Sequence, residues 1–171
     1  MSGKTFYDDV ADALAAFLPP KLRDFGSHRS SYNIKVWYGD ETREHYEAQY
    51  MKHKRKIVLE IGFHTEHKDR ARNDEVLEQL MSEEKKWRKD LGRAPEAGPF
   101  IGHQSGSWRR ISELWEGQIG GDAAVDAAER LATYIRTFEP LRNKSAASLR
   151  NRSAASLRNR SAPAKPKTAR V

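Results

Sequence analysis

The chain predicts an α+β domain, a mainly antiparallel sheet of three or four strands with helices packed on one face, in the order αβββα(β)α. Three observations predict it. Apolar residues recur at helical spacing in three separate stretches of the first 142 residues. Between residues 32 and 64, three segments instead alternate apolar with polar, and short polar turns separate them. The 171 residues suit one domain, taken as residues 1–142, followed by a basic segment at 143–171.

The first helix is written in "TFYDDVADALAAFLPP". Phe6, Val10, Ala13, Leu14, Phe17 and Leu18 share a face, Thr5 can cap it with Asp8 three residues on, and Pro19-Pro20 stop it. "YNIKVWYGD" then sets Tyr32, Ile34, Val36 and Tyr38 against Asn33, Lys35 and Trp37, and Gly39-Asp40 ends that strand. "EHYEAQYM" turns Tyr46, Ala48 and Tyr50 inward, and "KIVLEIGFH" does the same with Ile57, Leu59, Ile61 and Phe63. "NDEVLEQLMSEEKKWRKDLG" reads as one helix with a stripe of Val76, Leu77, Leu80, Met81, Trp87 and Leu91, capped by Asn73 and ended by Gly92. "GRAPEAGPFIGHQSG" reads as a long loop, and "SWRRISELWEG" fits either a helical turn or a strand. The last helix, from about Asp122 to Glu139, buries Val125, Ala128, Leu131, Ile135 and Phe138, and Pro140 ends it.

Charge divides the chain in two. Residues 143–171 hold Lys144, Arg150, Arg152, Arg158, Arg160, Lys165, Lys167 and Arg170 and no acid, which leaves 23 basic and 24 acidic side chains in residues 1–142. This tail contains one octad written three times, "LRNKSAASLRNRSAASLRNRSAPA" at 141–164, and it lacks Phe, Trp and Tyr. So little apolar surface predicts disorder. Spaced cations on a flexible chain neutralise phosphates whatever the base sequence, so those eight residues are the candidate nucleic-acid contacts. Without aromatics, base stacking is unavailable.

Absent features narrow the classes further. There is no cysteine, which excludes disulfides and thiolate zinc sites. The N-terminal twenty residues carry three aspartates (Asp8, Asp9 and Asp12) within their apolar stretch and only Lys4 ahead of it, unlike a signal peptide. No run approaches the roughly 18 apolar residues of a membrane span, so a cytoplasmic protein with no membrane partner is expected. Phosphate loops, serine-nucleophile turns and dinucleotide fingerprints are missing too.

Candidate chemistry sits on the central hairpin. With "KHKR" (Lys52–Arg55) as the turn, Met51 pairs with Lys56 and Glu47 faces Glu60 on the side away from the core. Facing like charges destabilise a hairpin unless something sits between them. Lys35 and His64 can share that face. Two carboxylates and a lysine are the parts of Mg²⁺-dependent phosphodiester hydrolysis, with Glu47 and Glu60 as metal ligands and Lys35 supporting the attacking water. The same residues also suit a plain salt-bridged wet face. "HTEH" raises a zinc reading through His64 and His67, with Glu60, His45, His53 and His103 as further donors, since zinc needs at least three.

On Glu47 and Glu60 and the αβββα order, the chain resembles the core of the PD-(D/E)XK nuclease-like superfamily, which implies a metal-dependent nuclease. That family's acid-x-lysine position reads Glu60-Ile61-Gly62 here, without the lysine. Residues from about Lys56 to Arg142 are also similar, in the order of "VLEIGFH", Asn73, "LEQLMSEEKKWRKDLG", "WRRISELW" and a closing helix, to a bacterial domain of unknown function found beside nuclease-like domains. Three classes follow. The favoured one is a non-enzymatic binding module with a nucleic-acid-binding tail, needing no cofactor. The others are a divergent Mg²⁺-dependent nuclease and an interaction module or homodimer using aromatics such as Trp37 and the loop before Trp108.

Overall fold

A computed structural model describes residues 5–102, 106–117 and 122–160, with 145–160 described by backbone alone. In chain order the elements are α1 (Phe6–Phe17), a 3-10 turn (Pro20–Leu22), β1 (Gly26–Arg29), β2 (Asn33–Trp37), β3 (Glu44–His53) and β4 (Lys56–Thr65). Then come α2 (Arg70–Met81), α3 (Glu84–Leu91), β5 (Glu96–Pro99), β6 (Arg109–Glu116) and α4 (Ala123–Arg160). The strands form one antiparallel sheet in the order β1-β2-β3-β4-β6-β5.

The α+β class and the antiparallel sheet match expectation, but the sheet has six strands. "SWRRISELWEG" holds a strand, β6, and the two strands the sequence did not signal are the edges. β1 is four mostly exposed residues with no alternation, and β5 is "EAGP", whose glycine and proline have the composition of a loop. Each takes its register from a longer neighbour, and Pro99 is tolerated because an edge strand has one side without ladder bonds.

One sheet face carries the core. Ile34, Val36, Tyr46, Ala48, Leu59, Ile61, Phe63 and Ile111 pack against Val10 and Leu14 of α1, Leu80 of α2, Trp87 of α3, and Leu131, Ile135 and Phe138 of α4. Each of these side chains larger than alanine contributes roughly 1.5–3 kcal/mol by leaving water. Thr5 caps α1 through the expected reciprocal pair with Asp8. The helix predicted over 73–92 is instead two. The chain breaks at Ser82-Glu83, which lets the Trp87 indole fold back into the core and donate to the Leu80 carbonyl at 2.9 Å. Ile57, Tyr32 and Val125 are exposed rather than buried. Ile57 and Tyr32 lie at strand ends beyond the helices, and Ala124, Ala127 and Ala128 take the buried side of α4 in place of Val125.

α4 does not stop at Pro140. It runs to Arg160, so the backbone of the segment predicted as disordered is helical over 143–160. A helix already packed through Leu131, Tyr134, Ile135 and Phe138 adds residues without a new nucleation step, and Ala, Leu and Arg propagate it well. Pro140 forfeits one backbone bond, while Phe138 and the partly buried Leu141 hold the chain on either side. Lys165, Lys167 and Arg170 lie outside the described residues.

The central hairpin is tighter than expected. Lys54 and Arg55 alone form the turn, both at positive φ (46° and 68°), as a two-residue I′ turn requires. His53 therefore pairs with Lys56, and the register moves by two residues. Glu47 lies opposite Gly62, and Glu60 lies opposite Gln49.

Candidate metal centre

The sheet face away from the helices ought to be wet, yet His45, Glu47, Glu60, His64 and Ser112 are all at most 2% exposed. Period-two alternation builds the cluster. His45, Glu47 and Gln49 project from β3, and Glu60 and His64 from β4. Glu66 follows β4, where its N–H still bonds the Arg43 carbonyl at 2.8 Å. His45 lies directly opposite His64, and Lys35 of β2 directly opposite Glu47. Phe100, beyond β5, stacks edge-on against the His64 ring, and Trp108 packs on Phe100. These rings close one side of the cluster.

Four donor atoms converge. His45 Nε2 lies 3.3 Å from Glu47 Oε2 and 3.6 Å from Glu66 Oε1, and His64 Nδ1 lies 2.9 Å and 3.9 Å from the same two oxygens. All four fall within 4.8 Å of one another. The far side of each ring is occupied by an oxygen. His45 Nδ1 donates to the Thr42 carbonyl at 3.0 Å, which in a neutral ring leaves Nε2 as a lone pair facing the carboxylates. His64 Nε2 lies 3.4 Å from Glu60 Oε1. Although fully buried, neither nitrogen of His64 has an aligned hydrogen bond.

Charge is dense here. Burial disfavours a charged His64 ring, but Glu60 and Glu47 outweigh burial and push its pKa up to about 10. Burial likewise raises the carboxyls, yet His45, His64 and Lys35 hold Glu47 far below the usual range. Against the same burial, His64, Ser112 and Arg110 lower Glu60, and His45 and Lys35 lower Glu66. Glu47 also accepts from Asn33 Nδ2 at 2.5 Å, while Glu60 accepts from Ser112 Oγ at 2.5 Å and Gln49 Nε2 at 2.8 Å.

The three candidate catalytic residues share this face but not the arrangement expected of them. Glu47 and Glu60 are diagonal neighbours, with His64 between them. Lys35 bridges Glu47 and Glu66, at 3.7 Å and 2.9 Å, rather than Glu47 and Glu60. Gly62 stands where the nuclease motif carries lysine, and a Cβ there would overlap the Ile111 carbonyl and Ser112 of β6. The close β4–β6 approach leaves that position no side chain at all.

Sequence reasoning named His45 among further zinc donors but missed Glu66. The signal was present as a repeated triplet, His45-Tyr46-Glu47 and His64-Thr65-Glu66, one His-x-Glu on each strand of a hairpin. "HTEH" suggested His64 with His67, but His67 lies across the sheet, 2.9 Å from Glu44. His53 sits at the hairpin tip, and His103 lies outside the described residues. Trp37 is half-buried over Gly26, so it is engaged within the fold rather than displayed. No helix among the described residues is long and apolar enough to cross a membrane. No family model, no curated protein and no solved structure matches this chain.

Proposed function

We propose that this protein is a metal-holding α+β module in which His45, Glu47, His64 and Glu66 take up one divalent ion of the zinc type. The observation that carries the reading is the shape of the donor set. The four histidine–carboxylate separations, 2.9–3.9 Å, bracket the edge of about 3.3 Å expected for a tetrahedron with donors about 2.05 Å from the ion. The surrounding contacts suit it as well. A ligating histidine offers its other nitrogen to a carbonyl or carboxylate, as His45 does to Thr42 and His64 to Glu60.

Two imidazoles and two carboxylates favour zinc over Mg²⁺, which takes six oxygens. Four protein donors leave no open position for an activated water, so the reading is non-enzymatic. Lys35 is then the counter-charge that the ion replaces at Glu47 and Glu66. The chain, stripped with a chelator and reloaded, is expected to take up one Zn²⁺, or one Co²⁺ with the intense visible bands of a tetrahedral site. His45→Ala and Glu66→Gln lose it, while Glu60→Gln keeps it with roughly 10–100-fold weaker affinity. Folded wild-type chain that retains no ion above the Glu66→Gln background rejects the reading.

A second reading belongs to the C-terminal segment, which we propose as a non-specific nucleic-acid contact. It is supported by eight cations without an acid, and by a helical backbone that spans roughly 27 Å over residues 143–160.

A further inference from the structure

The β3–β4 hairpin runs past its neighbours. Pairing with β2 ends at Gln49, with one more bond from Tyr50 N to the Tyr32 carbonyl, and pairing with β6 ends at Val58. Residues 52–57 therefore project as a free two-stranded ribbon, about 10 Å long from the last flanking strand to the turn. Its sequence is Lys52-His53-Lys54-Arg55-Lys56, and its four formal cations are all exposed. One described acid answers them, Glu116, 2.6 Å from Lys56 and itself largely exposed. Without these four cations the body of residues 1–142, which stands at −1, would stand at −5.

The turn carries a second sign. A two-residue I′ turn favours Asn-Gly, because both residues take positive φ. Here that strained conformation is occupied by Lys54 and Arg55, so local stability is conceded to keep charge at the tip. Strand alternation distributes the rest: Lys52 points to one side of the ribbon, and His53 with Lys56 to the other. Cations on both sides suit a slot between two rows of phosphates better than a single charged plane. The major groove of duplex DNA is such a slot, about 12 Å wide and able to admit a two-stranded ribbon.

We propose that the Lys52–Lys56 ribbon is a second nucleic-acid element, which inserts its tip between the phosphate backbones of a duplex without reading base sequence. It does not depend on the metal centre, and it is separable from the tail. The test is anisotropy of a labelled 20-base-pair duplex with the full chain across a salt titration. Removing the four charges (K52Q, K54Q, R55Q and K56Q together) should reduce the slope of log affinity against log salt by about 3–4, since each phosphate contact contributes about 0.9. It should weaken binding at least tenfold at low salt, leaving the far-UV spectrum intact. K54N with R55G should bind more weakly than wild type while melting at a higher temperature. An unchanged slope in the folded four-site variant overturns the proposal, as does a slope lost only when the tail cations are neutralised. Duplex binding retained while binding to anionic vesicles disappears would mark the ribbon as a membrane contact and overturn it equally.

Discussion

Two buried groups of carboxylate and histidine lie on opposite faces of the same sheet, and they solve the same problem differently. On the helix side, Glu44 is held by His67 at 2.9 Å, Arg72 at 3.1 Å and Arg142 at 2.9 Å, while Glu139 accepts from Tyr46 and Arg142. Arg72 and His67 share one oxygen of that carboxylate and Arg142 takes the other, and Arg142 also covers the Phe63 ring. On the open side, His64 lies among three carboxylates without one aligned hydrogen bond, and no arginine reaches the carboxylate of Glu47 or Glu66 among the described contacts. A buried carboxylate with both oxygens paired to cations is complete. Converging histidine and carboxylate atoms with spare donor capacity instead form a place for an ion.

The largest expected effect breaks the open side. His45→Ala should lower zinc affinity at least a thousandfold, about 4 kcal/mol, by competition against a chromophoric chelator. Glu44→Gln should leave that affinity unchanged. Glu44→Gln should break the other side instead, destabilising the fold by about 2 kcal/mol in urea because Arg142 and Arg72 each lose a charged partner and keep only Glu139 and Glu75. The pH dependence has a definite sign. Burial raises the Glu44 carboxyl, but His67, Arg142 and Arg72 lower it on balance, so its folded pKa is depressed. Its stabilisation is therefore present above the unfolded value of about 4.3 and is lost as pH falls through the depressed folded value. Wild type and Glu44→Gln should differ at pH 7 and converge in acid.

Smaller changes sharpen the contrast. Gly62→Ala puts a methyl against the Ile111 carbonyl and Ser112, and should cost about 2 kcal/mol in the urea midpoint. An unaffected Gly62→Ala would mean that β4 and β6 do not approach so closely. Ser112→Ala removes one hydrogen bond from Glu60 and should cost about 1 kcal/mol by thermal melting, with metal stoichiometry unchanged.

The two faces were unequally legible in the sequence. The helix side announced itself, because Ile34 and Val36, Tyr46 and Ala48, and Leu59, Ile61 and Phe63 alternate as half-buried strands do. The capping pair of Thr5 and Asp8 was equally plain. The open side looked like a wet surface, since nothing local says that His45 and Glu47 are buried. That burial comes from distant cover such as Phe100 and Trp108, and the pairing comes from cross-strand register, which depended on whether Lys54 and Arg55 would accept positive φ. A two-residue error in the turn paired Glu47 with Glu60 and hid the opposition of His45 and His64. Edge strands β1 and β5 escaped notice because their pairing is imposed by β2 and β6 rather than by their own residues. The helix beyond Pro140 escaped notice because a packed stem, not octad composition, begins it.

The most direct test is an anomalous difference map from crystals of the zinc-loaded chain, collected on both sides of the zinc absorption edge. The account predicts one peak between His45 Nε2 and His64 Nδ1, about 2.0–2.1 Å from each and in contact with Glu47 and Glu66. A map with no peak there, and Lys35 still bonded to Glu66, would contradict it.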